Sequence, residues 1–264
     1  MSAAETMTVP QFQRLKGRRR LTMLTAYDFP TARLLDQAGV DALLVGDSLG
    51  MVVQGRSDTL AVSWQEMLYH AEMVGRAVRH ALVVVDLPFP LAHLEPPEVL
   101  RHAAQALQLP GVSAVKLEGG AELVGTIRRL VQAGVPVMGH CGLRPQSVHR
   151  LGGYRVQRDA QLVLRDAQAL EEAGAFAVVL ECISRSIAAE VTRSLSIPTI
   201  GIGAGPECDG QVLVLHDLLG LGSAPPPKFA RAYANLAKVI LEAVQQYCRD
   251  VQQGHYPGPE HCYE

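Results

Sequence analysis

The sequence predicts an α/β chain folded as a (β/α)8 (TIM) barrel, with one helix before the first strand and a helical extension at the C-terminus. Two observations lead there. Short apolar runs, the length of fully buried parallel strands, alternate along the chain with stretches of helical period. In addition, Gln37-Ala38-Gly39-Val40, Gln132-Ala133-Gly134-Val135 and Glu172-Ala173-Gly174-Ala175 form a weak internal repeat, each closing a helix and leading straight into a strand. An open doubly wound sheet is the alternative, but the glycine-rich phosphate fingerprint expected after its first strand is missing. With 264 residues, 48% hydrophobic and 19% charged, the chain can bury a sizeable core as a single domain over 1–264.

Residues 8–16 are expected to form a short helix across one end of the domain, before a strand over 21–25 that leads to Tyr27 and Asp28. Pro30 suits a first helical turn, Ala32, Leu35 and Ala38 share a face, and Gly39 stops the helix. The second strand lies in the stretch 42–50 and delivers Asp47 and Ser48. Ser63-Trp64-Gln65-Glu66 is a capping box opening a helix with Met67, Ala71, Val74 and Val78 on one face. The third strand, 82–86, ends in Asp86, and Pro96-Pro97 starts a helix whose inner face is Leu100, Ala103 or Ala104, and Leu107. A fourth strand over 114–118 and a helix carrying Leu123, Ile127, Leu130 and Val131 follow, then a fifth strand over 135–140. After a polar, glycine-rich connection over 141–158, Asp159 caps a helix aligned on Val163, Ala167 and Leu170. The sixth strand is 177–181, Ser184 caps a helix with Ile187, Val191 and Leu195 inward, and strands over 198–202 and 212–215 complete the eight. Phe229, Tyr233, Leu236, Ile240, Val244, Tyr247 and Val251 keep helical spacing, a tail expected to pack against the outside of the domain or against another subunit.

A net charge of −2 gives no electrostatic case for nucleic acid or an anionic membrane, so small molecules are the expected ligands. Residues 1–10 hold no apolar signal core, and no apolar run nears the ~20 residues that span a bilayer. A cytoplasmic protein without a membrane partner is expected. Five widely spaced cysteines, with no Cys-x-x-Cys pair, read as reduced thiols rather than a disulfide framework or zinc site. Arg18-Arg19-Arg20 reads as a solvated turn before the first strand.

The chemistry sits at the strand ends. In parallel α/β folds ligands bind at the carboxyl rim, and the apolar runs here deliver Asp47, Asp86, Glu118, His140 and Glu181 to it. Two aspartates on neighbouring strand ends with a third carboxylate nearby describe a site for a hard cation of Mg²⁺ type, which takes oxygen ligands and keeps waters or substrate oxygens. Lys116 and Glu118 are two apart and so share a strand face, an arrangement that is costly unless that face is the polar mouth of the barrel. Lys116 is suited either to holding a substrate carboxylate or to forming a Schiff base. His140 lacks a metal-spaced partner and is assigned a hydrogen bond to substrate or to a neighbouring loop. Cys141 and Cys182 each follow a polar strand-end residue, face away from it, and do not read as nucleophiles.

At these residues the chain resembles the ketopantoate hydroxymethyltransferase (3-methyl-2-oxobutanoate hydroxymethyltransferase) family. The likeness runs through Thr25-Ala26-Tyr27-Asp28, Val45-Gly46-Asp47-Ser48-Leu49-Gly50-Met51, Asp86-Leu87-Pro88-Phe89, Val115-Lys116-Leu117-Glu118-Gly119-Gly120, Gly139-His140, Pro145-Gln146-Ser147, Gly152-Gly153-Tyr154, Leu180-Glu181-Cys182, Gly201-Ile202-Gly203-Ala204-Gly205, His216-Asp217 and Pro227-Lys228-Phe229. The resemblance implies a (β/α)8 barrel assembled as a homodecamer. It also implies hydroxymethyl transfer from 5,10-methylenetetrahydrofolate to 3-methyl-2-oxobutanoate with Mg²⁺, in pantothenate synthesis. It gives Asp47 and Asp86 as direct metal ligands, Glu118 as the third metal-linked carboxylate, Asp47, Ser48, Asp86 and Lys116 as ketoacid contacts, and Glu181 as the general base.

Three local features depart from the family's usual pattern. The segment after Gln157 is shorter, which implies less complete cover of the pocket; Pro90-Leu91-Ala92-His93 stands where a Ser-Tyr pair is common; and Cys141-Gly142 replaces the commoner Leu-Gly. The rival functions are a carbon–carbon lyase or mutase of the phosphoenolpyruvate mutase/isocitrate lyase group, whose Lys-Lys-Cys-Gly-His-type loop is absent here, and a non-catalytic ketoacid-binding barrel, which would have no need of both Glu181 and Lys116.

Overall fold

Eight parallel strands close into a barrel in which each pairs with its neighbours in sequence and β1 (Leu21–Thr25) also pairs with β8 (Gly210–Leu213). Between them run β2 (Ala42–Val45), β3 (Leu82–Asp86), β4 (Val112–Glu118), β5 (Val137–Gly142), β6 (Ala177–Glu181) and β7 (Thr199–Ile202). The computed structural model describes residues 6–222 and 226–263. The chain divides into two compact units, 1–214 and 215–264, and the first contains the whole barrel.

Side chains alternate across the strands, so parity decides which core a residue joins. Leu21, Met23, Ala42, Leu44, Leu82, Val84, Ala114, Met138, Ala177, Val179, Ile200 and Val212 fill the barrel interior. The residues between them, among them Leu43, Val83, Val85, Val115, Leu117, Val137, Val178 and Leu180, pack outward against the helices. The first helix, α1 (Val9–Gln13), is held by a Thr8–Gln11 capping box, and its Phe12 is fully buried within the interior cluster, edge-on to Phe176 at 6.0 Å. It is the helix expected over 8–16, shorter than the sequence pattern implies.

The outer layer follows the expected order. Asp28 is the N-cap of α2 (Phe29–Gln37), accepting from the Thr31 amide, rather than a rim residue. After α3 (Leu49–Val52), Ser63 and Glu66 form the expected reciprocal box at α4 (Trp64–Ala77). The series continues with α5 (Pro96–Leu107) and α6 (Val124–Gln132). The connection over 141–158 holds a 3-10 turn (Pro145–Ser147) and a four-residue helix, α7 (Val148–Leu151), both too short to leave a periodic trace in sequence. Asp159 caps α8 (Ala160–Glu172) as expected, whereas Ser184 precedes α9 (Arg185–Ser194) without a side-chain cap bond. Strands β5 and β7 start one residue past Pro136 and Pro198, because proline has no N–H for the ladder. Strand β8 starts at Gly210, earlier than the apolar run suggests, since a Cβ there would lie 2.7 Å from Leu21.

The second unit contains α10 (Leu215–Leu219) and α11 (Leu236–Gln252). The expected helical tail is present, but none of the residues of α11 is buried, and Val239, Ile240, Leu241, Val244 and Tyr247 are exposed. No helix among the described residues is long and apolar enough to cross a membrane.

Candidate active site

Parity continues past the apolar interior. Residues 82 and 84 point inward and so does Asp86; 114 leads to Lys116 and Glu118, 138 to His140, and 177 and 179 to Glu181. Ladder register then sets these groups side by side, Asp86 opposite Lys116 and Glu118 opposite His140. Asp47 reaches the same place by another route. Strand β2 ends at Val45, and Asp47 lies in the turn into α3, its backbone N–H 3.3 Å from Asp86 Oδ2. Gly46 permits this approach: a Cβ there would lie 2.9 Å from Ser48 Oγ and 3.4 Å from Asp86 Oδ2.

Lys116 Nζ is the hub. It lies 2.8 Å from Asp86 Oδ1, 3.0 Å from His140 Nδ1 and 4.0 Å from Glu118 Oε1, with its side chain 4% exposed. Burial works against the ammonium, but Asp86, Glu118 and Asp47 together raise its pKa above the ordinary lysine value. The His140 pKa is driven well below the usual imidazole range, by burial first and then by Lys116. A neutral ring has one donor and one acceptor. Facing the ammonium, Nδ1 accepts, and Nε2–H donates to Leu143 O at 2.9 Å, with Glu181 Oε2 3.3 Å away. Of the two partners expected for His140, substrate or a neighbouring loop, the structure shows the bond to the loop, at Leu143 O.

The carboxyl groups are pushed the other way. Burial and the proximity of Asp86 lift Asp47 to about 7, against the pull of Lys116 and a hydrogen bond from Gln146. Burial, then Asp47, raise Glu118 well above the usual range. Burial alone raises Glu181 to about 7, opposed by Lys116. Ser48 Oγ meets Tyr27 OH at 2.9 Å. Cys141 is fully buried in the outer core with its thiol pushed up to about 12, and Cys182 up to about 11, so both are protonated and inert as nucleophiles near neutral pH.

The donor set fits a hard divalent cation. The carboxyl groups of Asp47, Asp86, Glu118 and Glu181 gather near one ammonium, an all-oxygen donor set of the kind a hard dication takes. Among the described residues no three His, Cys, Asp or Glu side chains make a ready cage. Mg²⁺ is commonly bound by only one or two carboxylates and completes its shell with water and substrate oxygens.

With this geometry in place, similarity to known proteins decides the family. A profile described as ketopantoate hydroxymethyltransferase matches residues 6–259. The 3-methyl-2-oxobutanoate hydroxymethyltransferase of Rhodopirellula baltica is 53% identical over 259 residues, covering 98% of this chain and 96% of that one. That of Pyrobaculum calidifontis is 53% identical over 259 residues, covering 97% of each. The chain belongs to the ketopantoate hydroxymethyltransferase family. Solved structures share the fold at low identity. A phosphoenolpyruvate phosphomutase from Streptomyces platensis subsp. rosaceus superposes with a TM-score of 0.64 at 17% identity, covering 97% of this chain and 92% of that one. A phosphonopyruvate hydrolase, in complex with oxalate and Mg²⁺, superposes at 0.63 and 17%, covering 98% and 92%.

Within this member of the ketopantoate hydroxymethyltransferase family, two polar residues join the cluster without having been assigned a role from sequence. Tyr27 follows β1 in inward phase with Thr25, a signal that parity carries. Gln146 comes from the 3-10 turn after β5. Its amide Nε2 donates to Asp47 Oδ2 at 2.8 Å and to Leu87 O at 3.0 Å, and its backbone N–H donates to Glu118 Oε2 at 3.1 Å. No periodicity marks it. The segment beyond, with exposed Tyr154 and Val156, is tied to the residue just after β6 by the Gln157 N–H to Cys182 O bond of 2.8 Å.

Proposed function

We propose that this pocket transfers a hydroxymethyl group from 5,10-methylenetetrahydrofolate to 3-methyl-2-oxobutanoate, giving 2-dehydropantoate, with Mg²⁺ as cofactor. The observation that carries the reading is the gathering of Asp47, Asp86, Lys116, Glu118, His140 and Glu181 at one rim of a barrel about half identical, over nearly its whole length, to enzymes of that name.

Asp47 and Asp86 are the residues to hold the cation, with Glu118 behind them. When bound, the cation supplies a Lewis acid that draws electrons from a chelated 2-oxoacid and makes its C3 proton removable. Lys116, protonated and tied to Asp86, binds the ketoacid carboxylate as an ammonium; its raised pKa argues against a Schiff base, which needs the free amine. Ser48 adds a hydroxyl to that contact. Glu181 takes the C3 proton, a task suited to a carboxylate whose pKa burial lifts towards neutrality. The electron pair released at C3 forms a bond to the methylene carbon of the folate as one of its two carbon–nitrogen bonds breaks; water then displaces the second nitrogen and becomes the hydroxyl, and the two folate nitrogens take up the proton removed from C3 and the one lost by water. His140, neutral, holds Lys116 on one side and the Leu143 turn on the other.

The protein is proposed to act in the cytoplasm as a homodecamer, sedimenting at ten times its 28.5 kDa chain mass; a monomer at micromolar concentration would contradict the assembly. The reaction is tested by following 2-dehydropantoate formation with and without Mg²⁺ and 5,10-methylenetetrahydrofolate. Product is expected only when both are present. An undiminished rate after thorough chelation would overturn the cation's part, and product without the folate would overturn the donor.

A further inference from the structure

We infer that Gln146 is a positioning residue that presents a single oxygen of Asp47 and a single oxygen of Glu118 to the cation. The inference rests on the reading that these carboxylates face a metal ion. One oxygen of each is already engaged: Asp47 Oδ2 by the Gln146 side chain and Glu118 Oε2 by its backbone N–H. Asp47 Oδ1 and Glu118 Oε1 are the oxygens left for the cation, the latter 4.0 Å from Lys116 Nζ and 3.6 Å from His140 Nδ1.

The amide orientation is fixed by its neighbours. Both groups beside Nε2, the Asp47 carboxylate and the Leu87 carbonyl, are acceptors, so a flipped amide would set oxygen against oxygen twice. The turn that carries Gln146 is itself pinned to the rim. Leu143 N–H donates to Glu181 O at 2.8 Å, and Leu143 O accepts from His140. One residue thereby fixes two carboxylates on different elements and links them to the strand that carries Glu181.

A second observation separates this role from packing. Gln146 is 7% exposed, and its Oε1 is buried with no hydrogen-bond partner among the described residues. A side chain placed only to fill space would be apolar here, since an unpaired buried carbonyl is costly. Retaining the amide makes sense where its donors are needed on Asp47 and where a water of the occupied site can meet Oε1.

The test uses full-length protein and Mn²⁺ as the probe, with free ion read by electron paramagnetic resonance, in the presence and absence of 3-methyl-2-oxobutanoate. Gln146→Ala, Gln146→Met and Asp47→Asn are compared with wild type at a temperature where circular dichroism shows each folded. Gln146→Met keeps the side-chain volume and covers the case in which the alanine variant is unfolded. Both Gln146 variants are expected to bind Mn²⁺ about 10–100-fold more weakly, the usual consequence of removing a hydrogen-bond partner of a ligand. Wild-type Mn²⁺ affinity in Gln146→Met alongside lost affinity in Asp47→Asn would overturn the role of Gln146 and leave the metal site standing. Unchanged affinity in Asp47→Asn would remove the metal site and the inference with it. A lowered melting temperature in Gln146→Met without a change in Mn²⁺ affinity would show a merely structural residue.

Discussion

Glu181 and His140 lie 3.3 Å apart and are driven in opposite directions by the same burial, the carboxyl upward and the imidazole downward. Both shifts favour the neutral form, because a low-dielectric setting penalises charge of either sign. In the proposed mechanism, proton uptake near neutral pH therefore falls to the carboxylate, while the imidazole keeps one tautomer and serves as a spacer. A base must be ionised to act, so kcat/KM is expected to fall as pH drops through about 7, the value for Glu181 in the free site. A pH profile flat from 8 to 5 would show that another group takes the proton.

At the scale of elements, the barrel's two ends are held by different means. At the N-terminal end Arg19 meets Asp41 in two bonds of 2.8 and 2.5 Å, and Asp41 also accepts from Thr22 N–H at 2.8 Å and Thr22 Oγ at 3.0 Å, joining the turn before β1 to the start of β2. The arginine run read as a solvated turn thus supplies a strand clamp, with Arg20 bonded to Cys208 O as well. Burial opposes ionisation of Asp41, yet the Arg19 and Thr22 bonds hold its pKa below the ordinary 3.8. A depressed carboxyl pKa contributes stability above the unfolded value and loses it as pH falls through the lower folded one. Asp41→Asn is expected to cost about 1–3 kcal/mol at pH 7, each kcal/mol lowering the melting temperature by roughly 2–4 °C. The difference should close in acid, and an equal deficit at pH 7 and below pH 3 would contradict the linkage. At the opposite end the segment after α7 is proposed to cover the pocket incompletely. Arg155 and Arg158 are exposed in the short segment after α7, so trypsin is expected to cut there first, at a rate that 3-methyl-2-oxobutanoate barely slows. Strong protection by the ketoacid would mean that the segment closes.

Across the whole molecule, what was legible in sequence is what a period can carry. Asp86, Lys116, Glu118, His140 and Glu181 each lie an even number of residues from an inward apolar neighbour, so strand parity alone assembles most of the site. The resemblance of their motifs then supplied the reaction class, which composition could not. Other features depended on contacts distant in sequence. Asp47 is placed by a turn and by Gly46, Gln146 by a loop pinned to three strand ends, and the Arg19–Asp41 clamp by two segments 22 residues apart. Strand starts at Pro136 and Pro198 slipped by a residue or more because the apolar pattern runs through a proline that the ladder does not admit. Enolisation of a ketoacid at this rim, with Glu181 as the proposed base, is tested without folate. Exchange of the C3 proton of 3-methyl-2-oxobutanoate for deuterium is followed by NMR in the presence of Mg²⁺. Wild type is expected to exchange it, and Glu181→Gln, of nearly the same shape, to do so roughly 10²-fold more slowly while binding ketoacid and Mg²⁺ as before. Exchange in Glu181→Gln at the wild-type rate would contradict the assignment.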